Sequence, residues 1–404
     1  NERLLPVWSV SGSWNLQENI LRNVEFISEL RLRGSFGIQG NMLEDQSPNL
    51  IIKQGTLEPI YNENVSTIAR YPNPNLRWEE TQQLDGGLEI GFFNSRLNVE
   101  FSVYSKKTTD CFTTVRVSSV NGVSGHSYIM NGGDLNNSGY SISLSATPVK
   151  KKNFQWKFST YYSGNFNKVK TGSVENYTLA DYLNGTALVD GIAVGSFYSY
   201  KFLGLNPSNG TPMFDDYNDR QHLLKYKTLE ETVLMTMKKS GQRDPIFSGN
   251  FSNSFTYKNL SLFASFSYDW GKQTYNQTLV DKVENASLTG NVDKRLYAGR
   301  WRNPGDIKPY KTLPNRWVEE EREYKDEKTQ PTSRFVQDRN ELSLSSLRVG
   351  YDFWKHNFIK KVAMERLRVE FYMNDVFMLS SIKTERGTAY PFARSFNFAI
   401  QATF

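Results

Sequence analysis

Charged and tyrosine side chains recur at every second position in several stretches of this sequence. Alternate side chains of an extended chain point to opposite faces, so each set would line one face of a strand. Arginine and glutamate can pair with polar groups of a bound molecule, and tyrosine can donate a hydrogen bond to them. The same side chains could instead satisfy one another. The candidates for contact with a polar ligand are Arg31, Arg33, Glu89, Glu100, Tyr104, Arg368, Glu370 and Tyr372.

Residues suited to covalent or metal chemistry are sparse and poorly spaced. The sequence has no nucleophile elbow, phosphate-binding loop or zinc-binding helix motif. The single cysteine, Cys111, excludes an intrachain disulfide and a cysteine-rich metal site. His126, His222 and His356 are scattered, and the acidic stretch at 215–219 lacks the spacing of an EF-hand. We therefore expect no catalytic residue, no metal, no cofactor and no enzymatic activity.

The charge distribution and the hydropathy restrict the partners. The net charge is +6, but the basic residues are scattered along the chain, which argues against nucleic acid as a partner. No apolar run approaches the roughly 18 residues of a transmembrane helix. A membrane-spanning strand needs only about 9–11 residues, half of which can be polar. The aromatic content of 14% is high and fits rings placed at a membrane–water boundary.

The elements that would position the candidate residues are strands with strictly alternating apolar and polar positions. About eleven such strands are predicted, and the apolar parity switches between Leu344 and Leu347, which indicates a bulge. The clearest strand places Phe396, Phe398 and Ile400 on one face. The predicted strands are 6–15, 28–39, 79–92, 95–106, 138–148, 153–164, 246–257, 260–270, 341–353, 366–377 and 394–404.

The connections between these strands alternate between short and long. Very short turns occur at Asn94, 148–153 and 258–259, whereas 16–27 and 354–365 are of medium length on the same side. This arrangement is typical of an outer-membrane barrel, which has short periplasmic turns and long outside loops. If the last strand runs inward, every long connection lies outside. The fold class predicted is therefore all-β, a transmembrane antiparallel β-barrel in contact with membrane lipid. The long connections are 40–78, 107–137, 165–245, 271–340 and 378–393.

Several motifs, spread in order from about 73 to 404, resemble the SusC/RagA-like family of TonB-dependent transporters. The first is Asn73-Pro74-Asn75-Leu76-Arg77-Trp78-Glu79-Glu80-Thr81, which is similar to the family's NP-x-L-x-WE-x-T segment. The remaining motifs are the paired N-x-G signature at Asn131 and Asn137, the loop 195–214, the RW-x-NPGD loop 300–306, the strand entry from Ser333, Asn374-Asp375-Val376-Phe377 and the terminal aromatic Phe404.

The resemblance implies a barrel of about 22 strands around a plug. Residues 1–404 would form its C-terminal half, with the plug and the N-terminal strands outside this chain. Because the sequence opens on Asn1 without an initiator Met, we expect it to begin inside a longer precursor. The implied partners are a SusD-like surface lipoprotein, TonB acting through the N-terminal part, and an oligosaccharide or peptide cargo. The implied location is the bacterial outer membrane.

Two sets of alternatives follow. Aromatic residues of the outside loops could stack on sugar rings, or they could anchor the loops or a lid partner; they are Tyr198, Tyr200, Trp301 and Tyr310. The protein could be an importer that requires energy from TonB, or a passive porin or adhesin-type barrel. A soluble β-rich protein that binds or hydrolyses carbohydrate is a third possibility, and it predicts solubility without detergent.

Overall fold

A computed structural model describes most of the chain, namely residues 5–43, 49–116, 127–171, 177–214, 229–286, 292–312, 332–354, 359, 361, 364–383 and 394–404. Nearly all of its regular structure is extended. The strands are β1 (Trp8–Asn15), β2 (Ile27–Asn41), β3 (Ile51–Glu58), β4 (Glu63–Arg70), β5 (Glu79–Phe92), β6 (Leu97–Thr109), β7 (Phe112–Arg116), β8 (Ser127–Asn131), β9 (Gly133–Lys151), β10 (Phe154–Thr171), β11 (Ser196–Tyr200), β12 (Phe202–Leu205), β13 (Pro212–Phe214), β14 (Met237–Gln242), β15 (Phe247–Tyr257), β16 (Leu260–Tyr275), β17 (Val336–Asp352), β18 (Arg366–Ser380) and β19 (Phe396–Thr403).

One antiparallel sheet contains eleven of these strands in the order β1-β2-β5-β6-β9-β10-β15-β16-β17-β18-β19. These are the strands that the alternation predicts, so the all-β prediction is confirmed. Several of them continue further toward the long connections than predicted, for example β10 to Thr171 and β17 from Val336. The other strands form two-stranded sheets within the long connections, pairing β3 with β4, β7 with β8, β11 with β14 and β12 with β13.

Short turns join the main strands at one end of the sheet, and long segments join them at the other end. The turn between β5 and β6 is tight, because Phe93, Asn94 and Ser95 all take positive φ angles of 55°, 55° and 58°. The turn between β15 and β16 consists of Lys258 and Asn259. The predicted alternation of short and long connections is therefore present.

The pairing register keeps each face of the sheet chemically uniform across several strands. Directly opposed residues in an antiparallel pair project to the same face. The register opposes Leu32 to Leu88 and Leu88 to Phe101, which builds an apolar row. One residue along, it opposes Arg31 to Glu89 and Glu89 to Glu100, which builds a polar row on the other face.

The apolar face is exposed and has aromatic side chains at both ends. The register opposes Phe154 to Tyr257 near the short turns, and Phe247 stacks on Trp270 near the long connections, with ring centroids 6.3 Å apart. The eleven residues from Phe247 to Tyr257 span about 33 Å of strand, or about 25 Å of height at a tilt of about 40°. That height matches the apolar band of an outer-membrane barrel.

The predicted bulge lies at the expected position in β17. The pairing of β17 with β18 shifts between Leu344 and Ser346, and the pairing with β16 shifts at the same place. An extra residue here restores the apolar parity on both sides of the irregularity. Asp375 on the neighbouring strand takes a φ of 49° beside this shift.

The connections contain short helices. The helix α1 (Leu16–Asn19) lies on the turn side, and the long connections contain α2 (Leu179–Asn184), α3 (Leu229–Thr236), α4 (Gln277–Leu279) and α5 (Lys294–Gly299). The start of α2 is fixed by a capping box, since Asp181 accepts a hydrogen bond from the Thr178 backbone N–H at 2.7 Å. Its end is fixed by Gly185, whose φ of 72° suits glycine. None of the helices in the described ranges has the length and hydropathy to cross a membrane.

An arginine placed on the apolar face tests its contact with lipid. Ile142 lies in the apolar row beside Phe101, and its neighbour Ser143 lies on the polar face beside Glu100. We expect Ile142→Arg to destabilise the full-length protein in lipid vesicles by about 2–4 kcal/mol, because a charge would lie near the middle of the bilayer. The urea midpoint, read by heat-modifiable migration, measures this loss. Ser143→Arg is the control, and an equal loss in both variants would contradict the assignment of the faces.

Candidate functional site

The polar face of β2, β5 and β6 carries one network of ion pairs. Arg33 lies at its centre, with Nη1 at 3.2 Å from Glu89 Oε1 and a second ion pair to Glu100. Arg31 Nη1 lies 3.5 Å from the other Glu89 oxygen. The structure thus brings four of the predicted residues together, and their charges compensate one another.

Small and hydroxyl-bearing neighbours allow Arg33 to lie across the sheet. Its guanidinium donates to Ser102 Oγ at 2.8 Å. A Cβ on Gly87 would come within 2.3 Å of Arg33 Nε, so glycine is required for this path. An open depression of about 520 Å³ adjoins the network, and Asp85 in its wall accepts hydrogen bonds from Gln83 at 2.7 Å and Ser35 at 3.3 Å. The surface is therefore a hydrogen-bonding wall. Its charged side chains already have partners within it; they are Arg31, Arg33, Asp85, Glu89 and Glu100.

Tyr104 lies on the same face, toward the long connections. Its hydroxyl donates to Asn165 Oδ1 at 2.9 Å, and its ring covers Gly139, where a Cβ would approach the hydroxyl to 2.5 Å. Lys106 Nζ lies 5.4 Å from the ring centroid. Tyr104 extends the polar wall above the ion-pair network.

The other predicted residues, on β18, lie far away in the strand order. Arg368 Nη2 lies 2.6 Å from Glu370 Oε1, and Tyr372 is opposed to Arg348 across the register. The neighbouring pair of Arg366 with Asp352 was missed by the sequence analysis, although Arg366 shares the parity of Arg368. The predicted residues therefore lie in two polar areas of the sheet, and their contact with cargo stays a prediction.

The outside-loop aromatics differ in their exposure. Tyr198 is 4% exposed and packs edge-on against Tyr182 at 6.0 Å, and Trp301 is 7% exposed over Gly210. Tyr200 and Tyr310 are partly buried, and burial raises the pKa of the Tyr310 hydroxyl. The burial of Tyr198 and Trp301 favours the loop-anchoring alternative for these two. Stacking on a sugar stays a prediction.

A buried ion pair in the long connections was not predicted. The Glu284 side chain is fully buried, and it pairs with Arg334, whose side chain is 10% exposed. The Arg334 guanidinium lies 4.4 Å from the ring centroids of both Phe202 and Phe335. Glu284 also accepts the Lys311 backbone N–H at 3.2 Å. The pair joins two parts of the connection before β17, and the Arg334 contact with Phe202 reaches the connection before β15. No local spacing in the sequence could reveal it.

The RW-x-NPGD loop is a tight polar turn. Asp306 Oδ2 accepts the backbone N–H groups of Arg302 and Asn303 at 3.0 Å each. These hydrogen bonds, with the nearby cations, hold the pKa of the Asp306 carboxyl below its usual range. The motif is thus explained by the turn that it builds.

The part of the chain that the structure describes contains no cluster of three or more His, Cys, Asp or Glu side chains suited to a metal ion. His126, His222, His356 and the acidic stretch 215–219 lie outside the described residues. Cys111 is half-buried, and burial raises the pKa of its thiol to about 11. A reactive cysteine has a lowered pKa, so this thiol lacks that property.

Comparisons with known proteins agree with this architecture. The model of the family "TonB dependent receptor-like, beta-barrel" matches residues 7–188. TonB-dependent receptor P39 of Formosa agariphila is 28% identical over 93% of this chain and 38% of its own length. TonB-dependent receptor SusC of Bacteroides thetaiotaomicron is 28% identical over 72% of this chain and 30% of its own length. The solved structure of the RagAB peptide transporter superposes with a TM-score of 0.75 at 21% identity, covering 93% of this chain and 40% of that one.

The class of protein is therefore an outer-membrane β-barrel, and the soluble alternative does not fit. The chain is similar to the SusC/RagA-like group of TonB-dependent receptors. It spans well under half the length of the relatives that it matches.

Removal of the Glu284 carboxylate should loosen the long connections and leave the sheet intact. Glu284→Ala leaves the Arg334 charge buried without its partner, which typically costs about 3–5 kcal/mol. We expect hydrogen exchange to speed up in α4 and α5 of the full-length protein and to stay unchanged in β15. Glu29→Ala, which breaks an exposed pair with Arg31, is the control and should change little. Unchanged exchange in α4 and α5 would contradict a joining role for this pair.

Proposed function

We propose that this chain forms the C-terminal half of the barrel of a TonB-dependent importer. The whole protein would carry an oligomeric nutrient, a glycan or alternatively a peptide, across the bacterial outer membrane. The observation that carries the proposal is the register-aligned sheet, apolar on one face and lined by compensated polar groups on the other. A lipid-facing exterior and a wet interior require this pattern.

The remaining parts of the transporter would come from sequence outside this chain. They are an N-terminal plug, the N-terminal half of the barrel and the segment that contacts TonB. The relatives' own lengths support this division, since the chain covers 38% of receptor P39 and 30% of SusC. A SusD-like surface lipoprotein would close the outside of the barrel as a lid. The resemblance to SusC and to the RagAB structures supports this partner.

The polar wall would give cargo weak and exchangeable contacts. Arg31, Arg33, Glu89 and Glu100 pair with one another, so a passing molecule must exchange one hydrogen bond for another. Transport requires contacts that favour entry and still allow release. Arg368, Glu370, Tyr372 and Tyr104 would act in the same way elsewhere on the wall. A wall that contacts only the plug is the competing assignment.

Uptake measurements distinguish an importer from a passive barrel. Cells that express the full-length protein with its lipoprotein partner should accumulate a labelled oligosaccharide or oligopeptide, and an uncoupler that removes the proton-motive force should abolish accumulation. Cells without the protein give the background. Uptake that persists after uncoupling would contradict the importer and favour a porin or adhesin. A comparison of the two cargo classes at equal size decides between glycan and peptide.

The ion-pair network should affect transport more than assembly. Arg33→Ala removes the guanidinium that joins Glu89, Glu100 and Ser102, so we expect cargo uptake to change at least about threefold, equivalent to about 0.7 kcal/mol. The amount of heat-modifiable protein in the membrane should stay the same. Ser252→Ala, which removes a hydroxyl paired with Ser159 on the same face, is the control. Unchanged uptake in Arg33→Ala would exclude these residues from the cargo path.

A further inference from the structure

The segment 73–78, between β4 and β5, forms part of the rim of the sheet and is called the rim segment. Hydrogen bonds from side chains connect it to the hairpin of β7 and β8. Asn131, at the end of β8, accepts the Arg77 backbone N–H on Oδ1 at 2.7 Å. Its Nδ2 donates to the Arg77 carbonyl at 3.0 Å and to the Asp110 carbonyl at 2.7 Å. A side-chain amide that pairs both backbone groups of one residue acts like a neighbouring strand.

Two further side chains make bonds of the same kind. Asn73 Nδ2 donates to the Ile129 carbonyl at 2.6 Å, which ties the rim segment to β8. Glu79 Oε1 accepts the Phe112 backbone N–H at 2.5 Å, and its other oxygen accepts Asn41 Nδ2 at 2.7 Å. Glu79 therefore connects the ends of β2 and β7.

The three residues come from two motifs that the sequence analysis had left without a physical role. Asn73 and Glu79 belong to the NP-x-L-x-WE segment, and Asn131 belongs to the N-x-G signature. The two motifs are more than 50 positions apart in the sequence, and the Asn131–Arg77 bond spans 54 positions. Asparagine and glutamate suit these positions, because their side chains supply the donors and acceptors that reach backbone groups of the rim and of the hairpin.

We propose that Asn73, Glu79 and Asn131 form a clasp that fixes the β7–β8 hairpin to the rim segment 73–78. The hairpin and the rim then move as one block, so the hairpin is a fixed platform at the outer end of the sheet and does not swing as a gate. The clasp residues are positioning residues. The proposal is independent of the cargo and of energy coupling.

Cys111 provides a built-in probe of the clasp. It lies at the base of the hairpin, where its backbone exchanges hydrogen bonds with Gly133 and Gly132 at 2.8 and 2.9 Å. Its thiol is half-buried and lies 3.8 Å from the Thr108 carbonyl. Partial burial of this thiol slows alkylation while the hairpin is in place, so separation of the hairpin from the rim should raise the rate of labelling.

The test is alkylation of Cys111 by iodoacetamide in the detergent-solubilised full-length protein, followed by mass spectrometry of the Cys111 peptide. We expect Asn131→Ala to label at least about tenfold faster, because three hydrogen bonds to backbone groups are lost. Asn131→Asp keeps the acceptor for Arg77 but loses both donations, so it should be intermediate. The control is Asn136→Ala, an exposed asparagine on β9, which should label at the wild-type rate. The unfolding temperature of the barrel, read by heat-modifiable migration, should be the same in all these variants.

A double variant distinguishes a clasp that opens as one unit from three contacts that open independently. If the clasp opens as a unit, Asn73→Ala with Asn131→Ala should label no faster than about twofold above Asn131→Ala alone. Wild-type labelling in Asn131→Ala, or equal acceleration in Asn136→Ala, would overturn the proposal. If Asn131→Ala fails to assemble, Asn73→Ala carries the same test, and its labelling at the wild-type rate would overturn the proposal equally.

Discussion

The ladder of backbone hydrogen bonds across eleven antiparallel strands is the constraint on which the rest of the structure depends. Hydrocarbon offers no partner to a backbone N–H or C=O group, so each spanning segment must be paired within the protein. Pairing also fixes the register, and a slip of one residue would exchange the two faces of a strand. Arg33 would then face lipid and Leu32 would face water. The separation of the two faces therefore follows from the register.

The polar side chains are organised by compensation. On the sheet, Arg33 holds two glutamates, and in the long connections Glu284 holds Arg334 in a nearly dry site. The first network is partly exposed and can exchange partners with a ligand, whereas the second is buried and would lose stability if it opened. Arginine–glutamate pairs thus have two roles. On the sheet they can exchange partners with a ligand, and in the long connections they hold two segments together.

Much of the sheet could be predicted from the sequence because the lipid and the water impose a period of two. The bulge at Leu344–Ser346 was visible as a change of parity for the same reason. The strand ends were predicted too short, since segments such as Asn165–Thr171 in β10 leave the lipid and the contrast between faces fades. The clasp and the Glu284–Arg334 pair join residues that are about 50 positions apart, and no local pattern encodes such contacts. The cargo-path residues stay a prediction, and the register places them on β2–β6 and on β18.

The central claim is that one face of the sheet meets lipid and the other meets water. Spin labels placed singly at each position of β15, from Phe247 to Tyr257, test it most directly in vesicles that contain the full-length protein. Collisions with dissolved oxygen should be frequent at the odd positions, whose side chains lie on the apolar face, and collisions with a water-soluble nickel chelate should be frequent at the even positions. Accessibility without a period of two, or with the opposite phase, would contradict the account.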